Sequence, residues 1–221
     1  MIITLDGPSG VGKSSVSKAL AERLSFTYID TGAMYRGVAL TAHEQGVPWD
    51  DEAALVAMIE SISFQFKKIS GKDHLFINGR DMEPDIRSPL ISGGASAVAT
   101  LPRVREGLVA IQREMGQKGS AILEGRDTGT VVFPQADLKF FLDAPVDVRA
   151  QRRHDQYQST DSLEEIQLQI SQRDKNDSER EASPLICADD AMRIDTSQLS
   201  LEGVIETILE RVQERQQNKS A

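Results

Sequence analysis

With 221 residues, 39% of them hydrophobic and 27% charged, the chain is long enough to bury a sizeable core and has the composition of an ordinary globular protein. A net charge of -9 argues against a general nucleic-acid surface, although basic side chains converging on one cleft could still hold phosphate. A single cysteine, Cys187, excludes an intrachain disulfide and fits a reducing compartment, while His43, His74 and His154 show no metal-ligand spacing.

In chain order, residues 2–5 form a short apolar, β-branched run that reads as a buried strand. No charged leader precedes it and no apolar stretch reaches membrane-span length, so a cytoplasmic protein without membrane association is expected. A glycine loop follows, and then a helix over 14–24 with Val16, Ala19, Leu20 and Leu24 on one face. A second strand is expected over 28–32, a helix over 33–45, and another over 53–62 with Asp50, Asp51 and Glu52 at its start. Residues 63–87 alternate apolar and polar around two turn signals, Ser70-Gly71-Lys72-Asp73 and Asn78-Gly79, which predicts two or three antiparallel strands inserted between helices.

Helices are expected over 91–99 and 104–117, and a buried strand over 121–124 that leads into Gly125-Arg126-Asp127. The next strand is 138–142, followed by a charged helix over 146–158 with Arg149, Arg152 and Arg153, and by a helix over 163–174. Residues 173–180 then read as a charged loop able to cover a site, 193–195 as the end of a last short strand, and 201–213 as a closing helix before a fraying polar tail. Short strands alternating with helices predict an α/β fold, a parallel sheet covered on both faces, with ligands at the carboxyl ends of its strands.

The motif that carries chemistry is Gly7-x-x-x-x-Gly12-Lys13-Ser14, placed between a strand and a helix. Its glycines let successive N–H groups face one concavity, and the helix N-terminus adds partial positive charge. Lys13 can reach terminal phosphates, and the Ser14 hydroxyl can ligate magnesium. Arg36, Arg105, Arg126, Arg173 and Arg180 stand near strand ends or polar junctions, where guanidinium forks suit phosphate recognition.

Together these residues resemble the bacterial cytidylate kinases. The likeness runs through 3–10, Asp30-Thr31-Gly32-Ala33-Met34-Tyr35-Arg36, Pro102-Arg103-Val104-Arg105, the segment 125–134, Arg173-Asp174 with Asp177 and Arg180, and Asp195-Thr196-Ser197. It implies a P-loop fold with a five-stranded parallel sheet: a core of 1–32, 88–148 and 181–221, a monophosphate-binding part of 33–87 holding the 63–87 insert, and a lid of 149–180. It implies ATP with Mg2+ as cofactor, with Gly7, Pro8, Ser9, Gly10, Val11, Gly12, Lys13, Ser14 and Ser15 as the ATP loop and Ser14 as the metal ligand. By the same resemblance Ser96, Arg105 and Asp127 contact cytosine, Arg36, Arg126 and Arg180 hold the acceptor phosphate, Arg173 and Asp177 contact the sugar, and Thr31 joins the CMP site. Lys13, Arg126, Arg180 and Arg152 are the candidate catalytic residues, Arg152 as a lid arginine reaching the phosphate donor. The implied partners are CMP, dCMP and ATP, acting on a monomer. One departure stands out: Glu124 occupies a place where Asp is expected. A kinase for another small acceptor, such as UMP or a sugar acid, an NTP-driven switch and, opposed by the acidic charge, a nucleic-acid-binding module are the rival readings.

Overall fold

A computed structural model describes residues 1–157 and 161–220. In chain order the elements are β1 (Ile2–Asp6), α1 (Lys13–Leu24), β2 (Thr27–Asp30), α2 (Thr31–Gln45), α3 (Glu52–Ser61), β3 (Phe64–Ile69), β4 (Lys72–Ile77) and β5 (Arg80–Asp81). They continue with α4 (Pro89–Val98), α5 (Pro102–Gln117), β6 (Ala121–Gly125), a π-helical turn at Thr128–Val132, β7 (Leu138–Asp143), α6 (Val146–Tyr157), α7 (Leu163–Glu179), β8 (Met192–Asp195) and α8 (Leu201–Ser220). Among the described residues, no helix is long and apolar enough to cross a membrane.

Five strands form one parallel sheet in the order β2-β6-β1-β7-β8, with the apolar β1 at its centre. The register pairs Asp6 with Gly125, Asp30 with Glu124, and Asp143 with Asp195, so these carboxylates stand at, or for Glu124 one residue before, the carboxyl ends of their strands. Alternation of side chains sends neighbours to opposite faces. Tyr28 and Ile122 enter the core under α1 and α8, whereas Ile29 and Leu123 enter the larger core made with α2 to α5.

The insert expected in the sequence is a three-stranded antiparallel sheet, β3-β4-β5. Ser70 with Gly71, and Asn78 with Gly79, all have positive φ, the backbone that tight hairpin turns need. The insert leans on α2 at Gly37, where an added Cβ would lie 2.7 Å from Ile77 Cδ1 and 2.9 Å from Leu75 Cδ2. A separate small cluster, Ala150, Ile166 and Ile170, joins α6 to α7. At about 1.5–3 kcal/mol per buried isoleucine, that cluster alone is a thin source of stability for two helices.

Several element ends differ from those read in the sequence. The stretch expected as a charged loop after residue 174 is helical, because α7 continues through Glu179. Nothing between 175 and 179 breaks a helix, Lys175 and Glu179 form an i,i+4 pair at 3.9 Å, and a Ser162–Glu165 capping box starts the helix. Likewise α8 runs through Ser220 instead of fraying from Glu214, which pairs with Arg211 at 2.7 Å. α4 and α5 begin early, at Pro89 and Pro102, since proline suits a first helical turn. The expected end of α6 at residue 158 lies outside the described residues.

Candidate active site

The phosphate loop leaves β1 at Gly7, whose φ is 147° and whose Cβ position lies 2.1 Å from the Leu142 carbonyl oxygen. No side chain fits there. Gly10 and Gly12 also have positive φ, and Gly12 caps α1 without a side chain. Within the loop Pro8, Ser9 and Val11 are buried, while Gly10, Ser14 and Ser15 are exposed. The Lys13 ammonium folds back and donates to Gly7 O (2.8 Å) and Pro8 O (2.7 Å). Burial, and then the nearby Arg126, holds its pKa well below the usual lysine range.

The helix pair α6–α7 grips this loop through the backbone of one residue, Ser9. Ser9 N donates to Asp174 Oδ1 at 2.9 Å, and Arg149 Nη1 donates to Ser9 O at 2.8 Å and to Asp174 Oδ2. Arg149 Nε also binds Ala144 O at 2.8 Å. Arg149 and Asp174 are named in the sequence reading but given no role there, because their partner lies 140 and 165 residues away. Arg152, expected toward the phosphate donor, instead binds Thr196 Oγ1 at 2.9 Å and Thr196 O. Arg153, four residues after Arg149 and so on the same side of α6, is the one felt by Arg173.

At the carboxyl edge of the sheet, Glu124 is buried and its Oε1 accepts from the Tyr28 hydroxyl. Its Oε2 is buried with no hydrogen-bond partner among the described residues. Burial and Asp30 push its carboxyl upward, against Tyr28, Lys13 and the Ser14 hydroxyl, which favour the charge. Asp30 caps α2 through Ala33 N (2.7 Å) and holds Arg36 Nη2 (3.2 Å). Thr31 Oγ1 donates to Glu124 O at 2.7 Å.

Beyond this edge a set of arginines shares two aspartates. Arg126 Nε donates to Asp177 Oδ2 at 2.7 Å, and Arg180 lies 3.8 Å from Asp177 and 3.7 Å from Asp127. Arg105 is ion-paired with Asp127, donates to Ala99 O at 3.0 Å, and has its Cζ 5.3 Å from the Tyr35 ring centre. Ser96, on α4, donates to Ser92 O at 3.3 Å. Arg173 is pushed down to about 10 by burial and Arg126, with Arg36 and Arg153 adding to the effect against Asp177. Four buried guanidinium nitrogens, Arg36 Nε, Arg105 Nε, Arg173 Nε and Arg180 Nη2, have no hydrogen-bond partner among the described residues. Buried cationic groups kept this way call for an anion.

The cytidylate kinase family model matches residues 3–214. The chain belongs to the cytidylate kinase family. It is 42% identical to the cytidylate kinase of Lactobacillus johnsonii over 221 residues, covering 99% of this chain and 96% of that one. To that of a Geobacillus species it is 44% identical over 216 residues, covering 96% of each chain. Solved structures with the same fold include a Sinorhizobium meliloti gluconokinase (TM-score 0.51, 14% identity, covering 99% and 97%) and a Bacteroides thetaiotaomicron shikimate kinase (TM-score 0.50, 12% identity, covering 96% and 98%). At such identities the likeness concerns the fold alone, that of a P-loop kinase.

Proposed function

We propose that this cytidylate kinase family member transfers the terminal phosphoryl group of ATP to the phosphate of CMP or dCMP, giving ADP with CDP or dCDP. The observation that carries this reading is the set of buried arginines, Arg36, Arg105, Arg173 and Arg180, each with a guanidinium nitrogen that makes no hydrogen bond among the described residues. An oxygen of the acceptor phosphate forms the new P–O bond as the bond to the ADP leaving group breaks. That oxygen is already anionic near neutral pH, so no general base is required. The transition state is loose, so the protein acts mainly by positioning and by neutralising charge.

In this reading Lys13 leaves its carbonyl partners for the donor phosphates, joined by the free backbone N–H groups of the loop; Pro8 has none, and that of Ser9 is held by Asp174. Arg36, Arg126 and Arg180 hold the acceptor phosphate. Arg173 and Asp177 meet the sugar, with Thr31 beside them, and Asp127, Arg105 and Ser96 read cytosine. The residues present fit magnesium: the Ser14 hydroxyl stands beside Glu124, whose Oε2 is buried without a hydrogen-bond partner among the described residues. When bound there, the ion would neutralise charge on the donor phosphates. Residues 33–87 form the acceptor-binding part and 149–180 the lid. Arg152, held by Thr196, is assigned to the donor side only after lid closure. The enzyme acts on free nucleotides as a cytoplasmic monomer, without nucleic acid or membrane.

ADP release, measured by coupled assay across ribo- and deoxyribonucleoside monophosphates and small sugar acids, tests the reading. CMP and dCMP should support the fastest turnover. ADP release independent of any acceptor, or faster with a sugar acid, would overturn it.

A further inference from the structure

The acceptor-reading groups Arg126 and Asp127 sit immediately before a single turn of π-helix, and that turn is held by a residue on another strand. Asp6 ends β1, next to Gly7 of the phosphate loop. It is 5% exposed, and its carboxylate accepts three hydrogen bonds from the turn: Thr128 N (2.9 Å) and Thr128 Oγ1 (2.8 Å) on Oδ1, and Gly129 N (2.7 Å) on Oδ2. The turn closes on its own carbonyls, with Val132 N donating to Asp127 O at 3.2 Å and Phe133 N to Thr128 O at 2.8 Å. π-helical turns are rare and occur frequently at functional sites.

The junction leaves no slack. A Cβ on Gly129 would lie 2.8 Å from Thr4 Oγ1 and 3.3 Å from Asp6 Oδ2, and one on Gly125 would lie 2.5 Å from Thr31 Oγ1 and 2.8 Å from Thr128 Cγ2. We propose that Asp6 is a positioning residue for acceptor choice: by fixing Thr128 and Gly129 it sets where the neighbouring Asp127 carboxylate and Arg126 guanidinium stand. The proposal rests on the reading of Asp127 as the group that faces the base. It also explains why a carboxylate is used. Its two oxygens meet two backbone N–H groups, one each, and an asparagine would offer one of them an amide NH2 instead.

Asp6→Asn is nearly isosteric and creates that donor–donor conflict. The KM for CMP should rise by about tenfold, the size of effect expected when one buried polar group is left mismatched, and the CMP-to-UMP preference in kcat/KM should shrink. The KM for ATP should stay within about twofold, because the hydrogen bonds lost are to the acceptor-side turn. Thr128→Val removes only the hydroxyl bond and should move the same quantities less, whereas Thr128→Ser should restore them. Unchanged CMP KM and base preference in both Asp6→Asn and Thr128→Val would overturn the proposal. So would an equal rise in both substrates' KM. If Asp6→Asn does not fold, an unchanged preference in Thr128→Val decides against it. A wild-type enzyme that ignores CMP would instead defeat the functional reading, before any variant is compared.

Discussion

Lys13 is bonded to two carbonyls of its own loop and held at reduced basicity by burial and Arg126, so its charge is stored close to where phosphates would lie. Lys13→Ala should lower kcat by about two to four orders of magnitude, as for other transition-state charge stabilisers, while circular dichroism remains that of the wild type. A near-normal kcat would remove the P-loop mechanism. Gly7 is constrained differently, by its φ of 147° and the Leu142 carbonyl. Gly7→Ala should therefore fail as a fold, seen as loss of the cooperative thermal transition. Such local roles were legible in the sequence because glycines, Lys13 and Ser14 lie within eight residues. The Arg149–Asp174 grip on Ser9 and the Tyr28–Glu124 bond were not, because each joins residues brought together only by the fold.

On the scale of elements, α7 links the two halves of the site. One turn of it presents Arg173 and Asp177 toward the arginine set and Asp174 toward the phosphate loop. Asp174→Asn should weaken the buried Arg149 pair by about 2 kcal/mol, the usual order for a charge-assisted hydrogen bond. Hydrogen exchange of α7 amides in the free enzyme should then accelerate, and addition of ATP with CMP should restore protection. Exchange identical to wild type would show that the grip is not what orders α7. The alternating strands and helices, and the hairpin insert, were readable from periodicity and turn residues. The extension of α7 was not, because its last turn carries almost no apolar side chains and the sequence pattern there is only charge. The π-helical turn at 128–132 left no periodic signal either, since one turn has no period.

For the whole molecule, a net charge of -9 coexists with an arginine-rich centre. A bound phosphate dianion relieves that repulsion, so CMP should raise the melting temperature, by an amount equivalent to about 2.7 kcal/mol at a hundred times its Kd. An unchanged melting temperature at saturating CMP would contradict the assignment of the arginines. Asp177 gives the acid limit. Burial pushes its carboxyl up, but Arg126 and Arg173 pull it, on balance, below the ordinary value of 3.8. Its stabilising contribution is complete above that ordinary value and is lost as pH falls through the lower folded one. Asp177→Asn should thus flatten the loss of stability below about pH 4, as followed by urea unfolding at several pH values.

Acceptor choice belongs to the same scale, since in the proposed reading α4, α5 and Asp127 ahead of the π-helical turn each supply part of the base site. Cytosine offers an exocyclic amine beside a ring-nitrogen acceptor, and uracil reverses both. The Asp127 carboxylate accepts and Arg105 donates, a pair matched to cytosine and opposed to uracil. The most direct test is kcat/KM for CMP and UMP in the wild type and in Asp127→Asn. The wild type should strongly prefer CMP, and Asp127→Asn should lose CMP activity with a smaller preference. Equal use of both bases by the wild type, or a fall by the same factor for both in the variant, would contradict it.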